Sequence, residues 1–278
     1  MASLPVEVMA MKFGCFGFIR HIPLIEQAGY DTAELDICEI NALSDDAFKR
    51  LLDRTSASSL SFEVFSGLIP LTERFHSEGF SKSRWLAHVE QAASRISLLG
   101  ARLVPFGAGR CRSIPEHCDD MEAACETVIS LVREICLILD KYGIDLAVEP
   151  LGPANSNYIN RIEEAVTFAQ KTGAGNCHVM CDLRHMLASG DDLDAIGRQI
   201  SSIRHVHIDY PLGKQRRFPL KGDGFNYETY FKALHKAGYE GIMAIEATDC
   251  NDYLTEAAKS LSFLKDCDSR CKAVTVHT

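Results

Sequence analysis

Short apolar runs alternate with longer amphipathic stretches along the whole chain. Runs of this length predict buried strands, and apolar residues three and four positions apart predict helices. Eight strands are expected, at 8–15, 32–37, 59–65, 102–107, 145–150, 178–183, 203–209 and 241–247. A helical pattern follows each strand, at 19–28, 45–54, 82–99, 119–142, 161–172, 191–201, 227–237 and 252–265. This order predicts β/α units and a parallel sheet.

Residues that begin and end helices support these boundaries. Ser44 precedes the second helical pattern as an N-cap candidate, and glycines follow the last turn of five others: Gly29, Gly100, Gly143, Gly173 and Gly238. No linker, low-complexity tract or charge block divides the chain. We therefore expect one domain over residues 1–278, a single (β/α)8 TIM barrel. A doubly wound sheet is the alternative, because periodicity does not report whether a sheet closes.

Composition narrows the class of partner. A chain of 278 residues with 46% hydrophobic content can bury a large core. Its formal charge of −9 disfavours nucleic acid and anionic membranes, which attract basic surfaces. The N-terminus lacks a basic start followed by an apolar segment, and no run of about 18 apolar residues occurs. The expectation is a soluble, cytoplasmic protein that acts on a small molecule.

The cysteines do not have the arrangement of a disulfide framework or a zinc site. There are eleven, an odd number, scattered along the chain without a C-x-x-C pair. The closest spacings, Cys177 to Cys181 and Cys267 to Cys271, have three residues between the two thiols and no second pair to complete a zinc site. Free thiols in a reducing compartment are expected.

Ligand-type side chains stand at the ends of the last four predicted strands. The run CHVMCDLRHM starts as a buried strand and ends in charged residues, although an unpaired buried carboxylate costs several kcal/mol. Asp182 lies at this end, Glu149 and Glu246 follow two other strands, and His207 lies within HVHID. Each alone is more often a helix cap, a solvated loop acid or a core histidine.

Together, four such residues on successive strand ends predict one divalent metal site, because the carboxyl ends of barrel strands meet at one face. Glu149, Asp182, His207 and Glu246 supply three carboxylates and one imidazole. This donor set suits Mn²⁺ best, with Co²⁺, Mg²⁺ or Zn²⁺ as alternatives.

Several phrases resemble the sugar phosphate isomerase/epimerase family, the xylose-isomerase-like TIM barrels. They are IEQAGYDTAELDI near the start, then AVEPLGPANSNYINRIEEAV, HVMCDLRHML, IRHVHIDYP and GIMAIEA. The resemblance covers nearly the whole chain and implies a metal held by the same four residues. It also implies that His185, three residues after Asp182, contacts substrate oxygens.

Ketose 3-epimerases are among the similar proteins, and their chemistry suits the predicted site. A divalent ion would stabilise the enediolate that forms when the proton between a carbonyl and a hydroxyl-bearing carbon is lost. The resemblance implies that Glu149 and Glu246 act on opposite faces, one abstracting and the other returning the proton. It further implies a small-molecule sugar substrate, phosphorylated or not, and a homo-oligomer.

Further substrate contacts are expected at a position where this chain differs from the ketohexose epimerases and in the loop after strand 7. Ketohexose epimerases carry a glutamate where this chain has Asn155, so a substrate contact has changed. The loop DYPLGKQRRFPLKGDGF follows strand 7. We expect Arg217 of this loop to contact the substrate, with Arg216 as the alternative. Lys214 and Lys221 complete a basic cluster that would suit a phosphate or carboxylate group.

The first four strand ends are expected to form the wall of the pocket. Its candidates are Phe16, Glu63, Phe65, Ser66 and Phe106. The glycines of FGAGR (106–110) predict a tight turn rather than a dinucleotide site.

Three other functions stay open. The same barrel hosts dehydratases, other lyases and subunits of C-glycoside deglycosidases. A non-catalytic sugar-binding subunit that works beside a partner chain is a further alternative. An apurinic endonuclease would need extra histidines at the first-half strand ends and a less acidic surface.

Overall fold

The computed structural model describes residues 11–70 and 72–275, and its strands form one parallel barrel. The strands are β1 (Lys12–Gly17), β2 (Thr32–Asp36), β3 (Phe65–Ser66), β4 (Leu103–Phe106), β5 (Asp145–Val148), β6 (Cys177–Asp182), β7 (Ile203–Ile208) and β8 (Ile242–Ile245). Residues 8–10 of the first predicted strand, and both ends of the predicted domain, lie outside the described residues.

The sheet is closed between its edge strands, which excludes the doubly wound alternative. Hydrogen-bonded neighbours run in the order β3-β2-β1-β8-β7-β6-β5-β4. A parallel bridge between Val64 and Leu103 joins β3 to β4, and the Glu63 carbonyl accepts from the N–H groups of Arg102 and Leu103. The predicted (β/α)8 barrel is confirmed. The third predicted strand is shorter than expected, because Ser61 and Val64 form single bridges instead of a continuous ladder.

Helices surround the strands. They are α1 (Ile22–Ala28), α2 (Ile37–Asn41), α3 (Asp45–Ala57), α4 (Lys82–Leu98), α5 (Met121–Asp140), α6 (Ile162–Thr172), α7 (Leu183–Ala188), α8 (Asp194–Gln199), α9 (Glu228–Ala237) and α10 (Tyr253–Thr275). All eight predicted helices are present, but the short α2 and α7, which start directly after β2 and β6, were not predicted. One or two turns are too short for a periodic signal.

Local capping chemistry fixes the helix ends. The Ser44 hydroxyl accepts from the Ala47 N–H at the start of α3, as predicted. Gly173 and Gly238 end α6 and α9 with φ of 67° and 73°, a left-handed conformation that favours glycine. Each of the eleven cysteines is a free thiol. Among the described residues, no helix is long and apolar enough to cross a membrane.

Alternation along each strand separates two environments. Outward residues pack against the helices in the main core, whereas inward residues fill the barrel. Val64, Leu103, Ala147 and Met180 form an apolar cluster within the barrel. Two residues after Val64, Ala147 and Met180 come Ser66, Glu149 and Asp182, all buried. Along the strands, the barrel interior therefore changes from this apolar cluster to polar residues at the carboxyl ends.

Candidate metal centre

The second half of the barrel brings the four predicted ligands together at its carboxyl end. Strand register pairs Asp182 on β6 with His207 on β7, and His207 with Ala244 on β8. Glu246 lies two residues after Ala244 and therefore points to the same side of the sheet. Glu149 follows β5, and its N–H donates to the Phe106 carbonyl of β4 at 3.1 Å.

The geometry of these four side chains fits one cation. One ligand atom from each of Glu149, Asp182, His207 and Glu246 lies within 4.8 Å of all the others. The Nδ1 atom of His207 is 3.3 Å from Glu246 Oε2 and 3.8 Å from Glu149 Oε1. Three of the atoms, Glu149 Oε1, Asp182 Oδ2 and His207 Nδ1, are buried without a hydrogen-bond partner among the described residues. Buried acceptors that converge without donors are what a divalent ion would satisfy.

Neighbouring cations keep two of the carboxylates ionised. Burial opposes ionisation of Asp182, but His185 and Arg216 outweigh it and hold its pKa at about 2. Burial also opposes ionisation of Glu246, and there Arg216 and His207 lower the pKa below its ordinary value. Both side chains therefore reach neutral pH as anions, the form that binds a metal.

His185 lies on α7 beside this centre, held by two backbone contacts. Asp182 caps the helix by accepting from the His185 N–H at 3.1 Å, and the Gly152 N–H donates to His185 Nδ1 at 3.2 Å. The Nε2 atom of His185 lies 3.8 Å from Glu149 Oε1, at the centre.

The loop after β7 places Arg216, and not Arg217, beside the four predicted ligands. The Arg216 guanidinium contacts Glu246 Oε2 and lies 3.6 Å from Asp182 Oδ2 and 2.9 Å from His185 Nε2. The Arg217 guanidinium instead lies over the Tyr210 ring, 4.2 Å from its centroid. It lines a different cavity, so the arginine expected at the substrate lies outside the cavity over the four ligands.

The rest of the basic cluster also lies away from the centre. Lys214 and Lys221 are exposed, and neither lines the cavity above the four ligands.

The cavity above the ligands has a volume of about 210 Å³. Ser66, Phe106 and Asn155 line it together with the turn at 107–109. The turn is tight, as expected, and Ala108 adopts a left-handed φ of 54°. A larger cavity of about 480 Å³ shares Asn155 with it. Asn155 therefore contributes to the walls of both cavities.

Three expected wall residues are not at the cavity. Glu63 lies at the opposite end of the barrel, where its carboxylate pairs with Lys12 at the start of β1 at 2.8 Å. It precedes the short β3 instead of ending it, because the third strand starts later than predicted. Phe65 is fully buried in the main core and Phe16 is 8% exposed, and neither lines the cavity.

Sequence reasoning missed two buried residues that support the centre. Arg112 is fully buried and donates to the carbonyls of Phe106 and Glu149 at 3.2 and 2.8 Å. Burial lowers the pKa of Arg112 to about 10, which leaves the guanidinium charged at neutral pH. Glu34 lies inside the barrel, 1% exposed, against His207. A carboxylate within the apolar run TAELDI was the signal that could have identified it.

The model of the xylose isomerase-like TIM barrel family matches residues 22–267. The chain belongs to this family. Its members share the barrel described above, and the resemblance read from the sequence motifs is confirmed.

Two relatives and one solved structure show how far this xylose isomerase-like protein resembles characterised ones. A ketose 3-epimerase from Arthrobacter globiformis is 26% identical over 106 residues, 38% of this chain and 35% of that protein. The match therefore spans about a third of that relative's length. A putative hydroxypyruvate isomerase from Streptomyces coelicolor is 25% identical over 234 residues, 79% of this chain and 78% of that protein.

The solved structure is that of an L-ribulose 3-epimerase. It superimposes with a TM-score of 0.80 at 18% identity and covers 96% of this chain and 98% of that one. At this identity the similarity demonstrates the fold of the xylose isomerase-like chain and not its substrate.

Proposed function

We propose that the protein is a divalent-metal-dependent sugar isomerase or epimerase that moves the proton on the carbon beside a carbonyl group. One observation carries this proposal. Buried acceptor atoms of Glu149, Asp182 and His207 converge without donors at the end of the barrel, and Glu246 approaches the same point. Such a set can bind a cation and hold two carboxylates against a substrate.

The two glutamates are the acid–base groups in this proposal. Glu149 extends from β5 and Glu246 from β8, strands separated by β6 and β7 in the barrel order. They therefore approach the cavity from different sides, as removal and return of a proton on opposite faces require. Glu246 starts as an anion because Arg216 and His207 outweigh its burial and lower its pKa.

One divalent ion is proposed at Glu149, Asp182, His207 and Glu246, and Mn²⁺ is our choice. Three carboxylates and one imidazole form a mainly oxygen donor set, which suits this ion. When bound, it would supply electrostatic stabilisation of the negative charge that develops on the substrate oxygens.

The remaining side chains of the cavity are proposed to bind the substrate. The imidazole of His185 and the guanidinium of Arg216 would contact its oxygen atoms. Phe106 and Asn155 line the wall, and Asn155 also faces the adjacent larger cavity. A ketose and hydroxypyruvate, named in the two relatives, both carry a carbonyl beside a hydroxyl-bearing carbon. We propose a substrate of that class and retain the expected homo-oligomer as a prediction.

Two measurements test the proposal. After growth with Mn²⁺, the purified protein should contain one divalent ion per chain, and chelation should lower its melting temperature through loss of a native-state ligand. Incubation with candidate ketoses in D₂O should then exchange the proton on the carbon beside the carbonyl, which NMR detects even without net conversion. Absence of metal together with absence of exchange across the ketose panel would refute the proposal.

A further inference from the structure

Glu34 is a buried carboxylate that the proposed acid–base chemistry does not use. It points into the barrel from β2 and is 1% exposed. Ser66, at the end of β3, donates its hydroxyl to Glu34 Oε1. The Nε2 atoms of His205 and His207 lie 2.9 and 3.0 Å from the two carboxylate oxygens. One anion on β2 is thus hydrogen-bonded to both histidines of β7.

These contacts determine which histidine nitrogen is protonated. An ionised carboxylate is only an acceptor, so the Nε2 atom of each histidine must carry hydrogen to bond with Glu34. A neutral imidazole then has its lone pair on Nδ1. In His207 this is the atom that faces Glu246 Oε2 at 3.3 Å and Glu149 Oε1 at 3.8 Å. The lone pair therefore points to the proposed metal position.

We propose that Glu34 is a positioning residue of the metal centre, which fixes the ring orientation and the tautomer of His207 from the opposite side of the barrel. The inference rests on the metal centre of the proposed function and on no assumption about the substrate. A carboxylate behind a ligating histidine also increases the electron density at the ligating nitrogen. Glu34 would thereby tighten metal binding without contacting metal or substrate.

His205 makes the arrangement asymmetric and provides a control. It shares the carboxylate of Glu34, but its own Nδ1 is buried without a hydrogen-bond partner among the described residues and is not one of the four proposed ligand atoms. Its ring lies 4.8 Å from that of His207 at an interplanar angle of 83°. Replacing His205 therefore changes the same hydrogen-bond network without removing the contact between Glu34 and His207.

The same three residues could instead bind a second cation, because their ligand atoms also lie within 4.8 Å of one another. Direct hydrogen bonds at 2.9 and 3.0 Å favour protons between Glu34 and the histidines. The two arrangements differ in stoichiometry, with one ion per chain for the positioning role and two for a second site.

The test measures metal affinity rather than turnover. The chelator-treated full-length chain is titrated with Zn²⁺ by calorimetry, as wild type, Glu34→Gln, Glu34→Asp and His205→Gln. His205 and His207 approach different oxygens of Glu34, and a glutamine replaces one of these oxygens with an NH₂ donor, so one histidine loses its acceptor or changes tautomer. We expect Glu34→Gln to weaken binding about 10–100-fold, Glu34→Asp less, and His205→Gln within about threefold of wild type.

A direct measurement of the tautomer does not depend on the variants folding. Two-bond ¹H–¹⁵N spectra of the Zn²⁺-loaded wild type should show hydrogen on Nε2 of both His205 and His207. Hydrogen on Nδ1 of His207, unchanged affinity in a folded Glu34→Gln variant, or two ions per wild-type chain would each overturn the inference. A wild-type chain that binds no metal at all would instead refute the proposed metal centre.

Discussion

The two halves of the barrel end in different chemistry. The carboxyl ends of β5 to β8 carry Glu149, Asp182, His207 and Glu246, within 4.8 Å of one another. The corresponding ends of β1 to β4 contribute Ser66 and Phe106 to the cavity wall, and their carboxylate Glu34 lies deeper, behind His207.

In the proposed function, the two halves of the closed sheet have different roles. The proposed ligand and acid–base groups belong to the second half, whereas the first half contributes to the cavity wall and holds Glu34 behind His207. Burying several carboxylates together is unfavourable unless cations or donors compensate. In the second half Arg216 lies against Glu246 and Asp182, and the proposed metal ion would add to this compensation. The first half needs no such compensation apart from the two histidines and the serine that donate to Glu34.

The largest expected effect comes from removing the proposed acid–base groups of the second half. Glu149→Gln and Glu246→Gln should each lower net turnover by about 10²–10⁴-fold, because an amide does not accept the proton. An amide oxygen can still bind the metal, so folding and part of the metal affinity should remain. NMR in D₂O should show that one variant exchanges only the substrate isomer and the other only the product isomer.

Phe106→Leu, in the wall of the first half, is the matched comparison for both glutamates. It should retain turnover within about tenfold, since the shape of the wall changes but no proton-transferring group is lost. If both glutamine variants exchange both isomers at the wild-type rate, neither glutamate is a base. A dehydratase or other lyase reaction would then be the better interpretation.

The second prediction concerns Arg112, which joins the halves. Its guanidinium donates to the carbonyl groups of Phe106 on β4 and of Glu149 and Ile159 on the β5 side. Arg112→Lys keeps the charge but not the planar set of donors, so buried carbonyls lose their partners. We expect the free energy of unfolding in urea to fall by about 3 kcal/mol.

Arg133 provides the control for this experiment. It also donates to backbone carbonyls, those of Lys171 and Thr172, but its side chain is 42% exposed. Water can replace its hydrogen bonds, so Arg133→Lys should cost less than about 1 kcal/mol. Equal losses of stability in the two variants would show that the halves are not held together by Arg112.

The third prediction sharpens the assignment within the second half. Arg216→Ala should lower kcat/KM by about 10–100-fold, because it removes a charged donor from the cavity. Arg217→Ala should change kcat/KM by less than about threefold, because its guanidinium lies on Tyr210, outside the cavity over the ligands. A larger loss in Arg217→Ala than in Arg216→Ala would restore the order expected from the sequence.

The smallest expected effect concerns Gly107, after β4, whose missing side chain leaves space for the Glu149 carboxylate of the second half. A Cβ at Gly107 would overlap with Glu149 Oε2. Gly107→Ala should therefore displace this carboxylate and weaken metal binding by about 5–50-fold, equivalent to an overpacking cost of about 1–2 kcal/mol. Gly197→Ala, in α8, has open space around its new methyl group and should leave metal affinity unchanged. Equal affinities in the two variants would contradict the close approach at Gly107.

The sequence by itself determined the β/α order and the four proposed ligands. Period-2 alternation and strand ends are local properties, so Asp182, at the end of the strand CHVMCD, was identifiable without coordinates. The family motifs added a role for His185, which the structure places at the centre.

Only the tertiary structure decided which distant side chains meet. Closure between Val64 and Leu103 is a long-range contact, and periodicity contains no information about it. Arg216 and Arg217 are adjacent in sequence, so only the path of their loop selects the one that enters the cavity. Glu34 lies 173 positions before His207, and their hydrogen bond forms because the closed barrel brings β2 and β7 to a common interior, where a carboxylate needs donors.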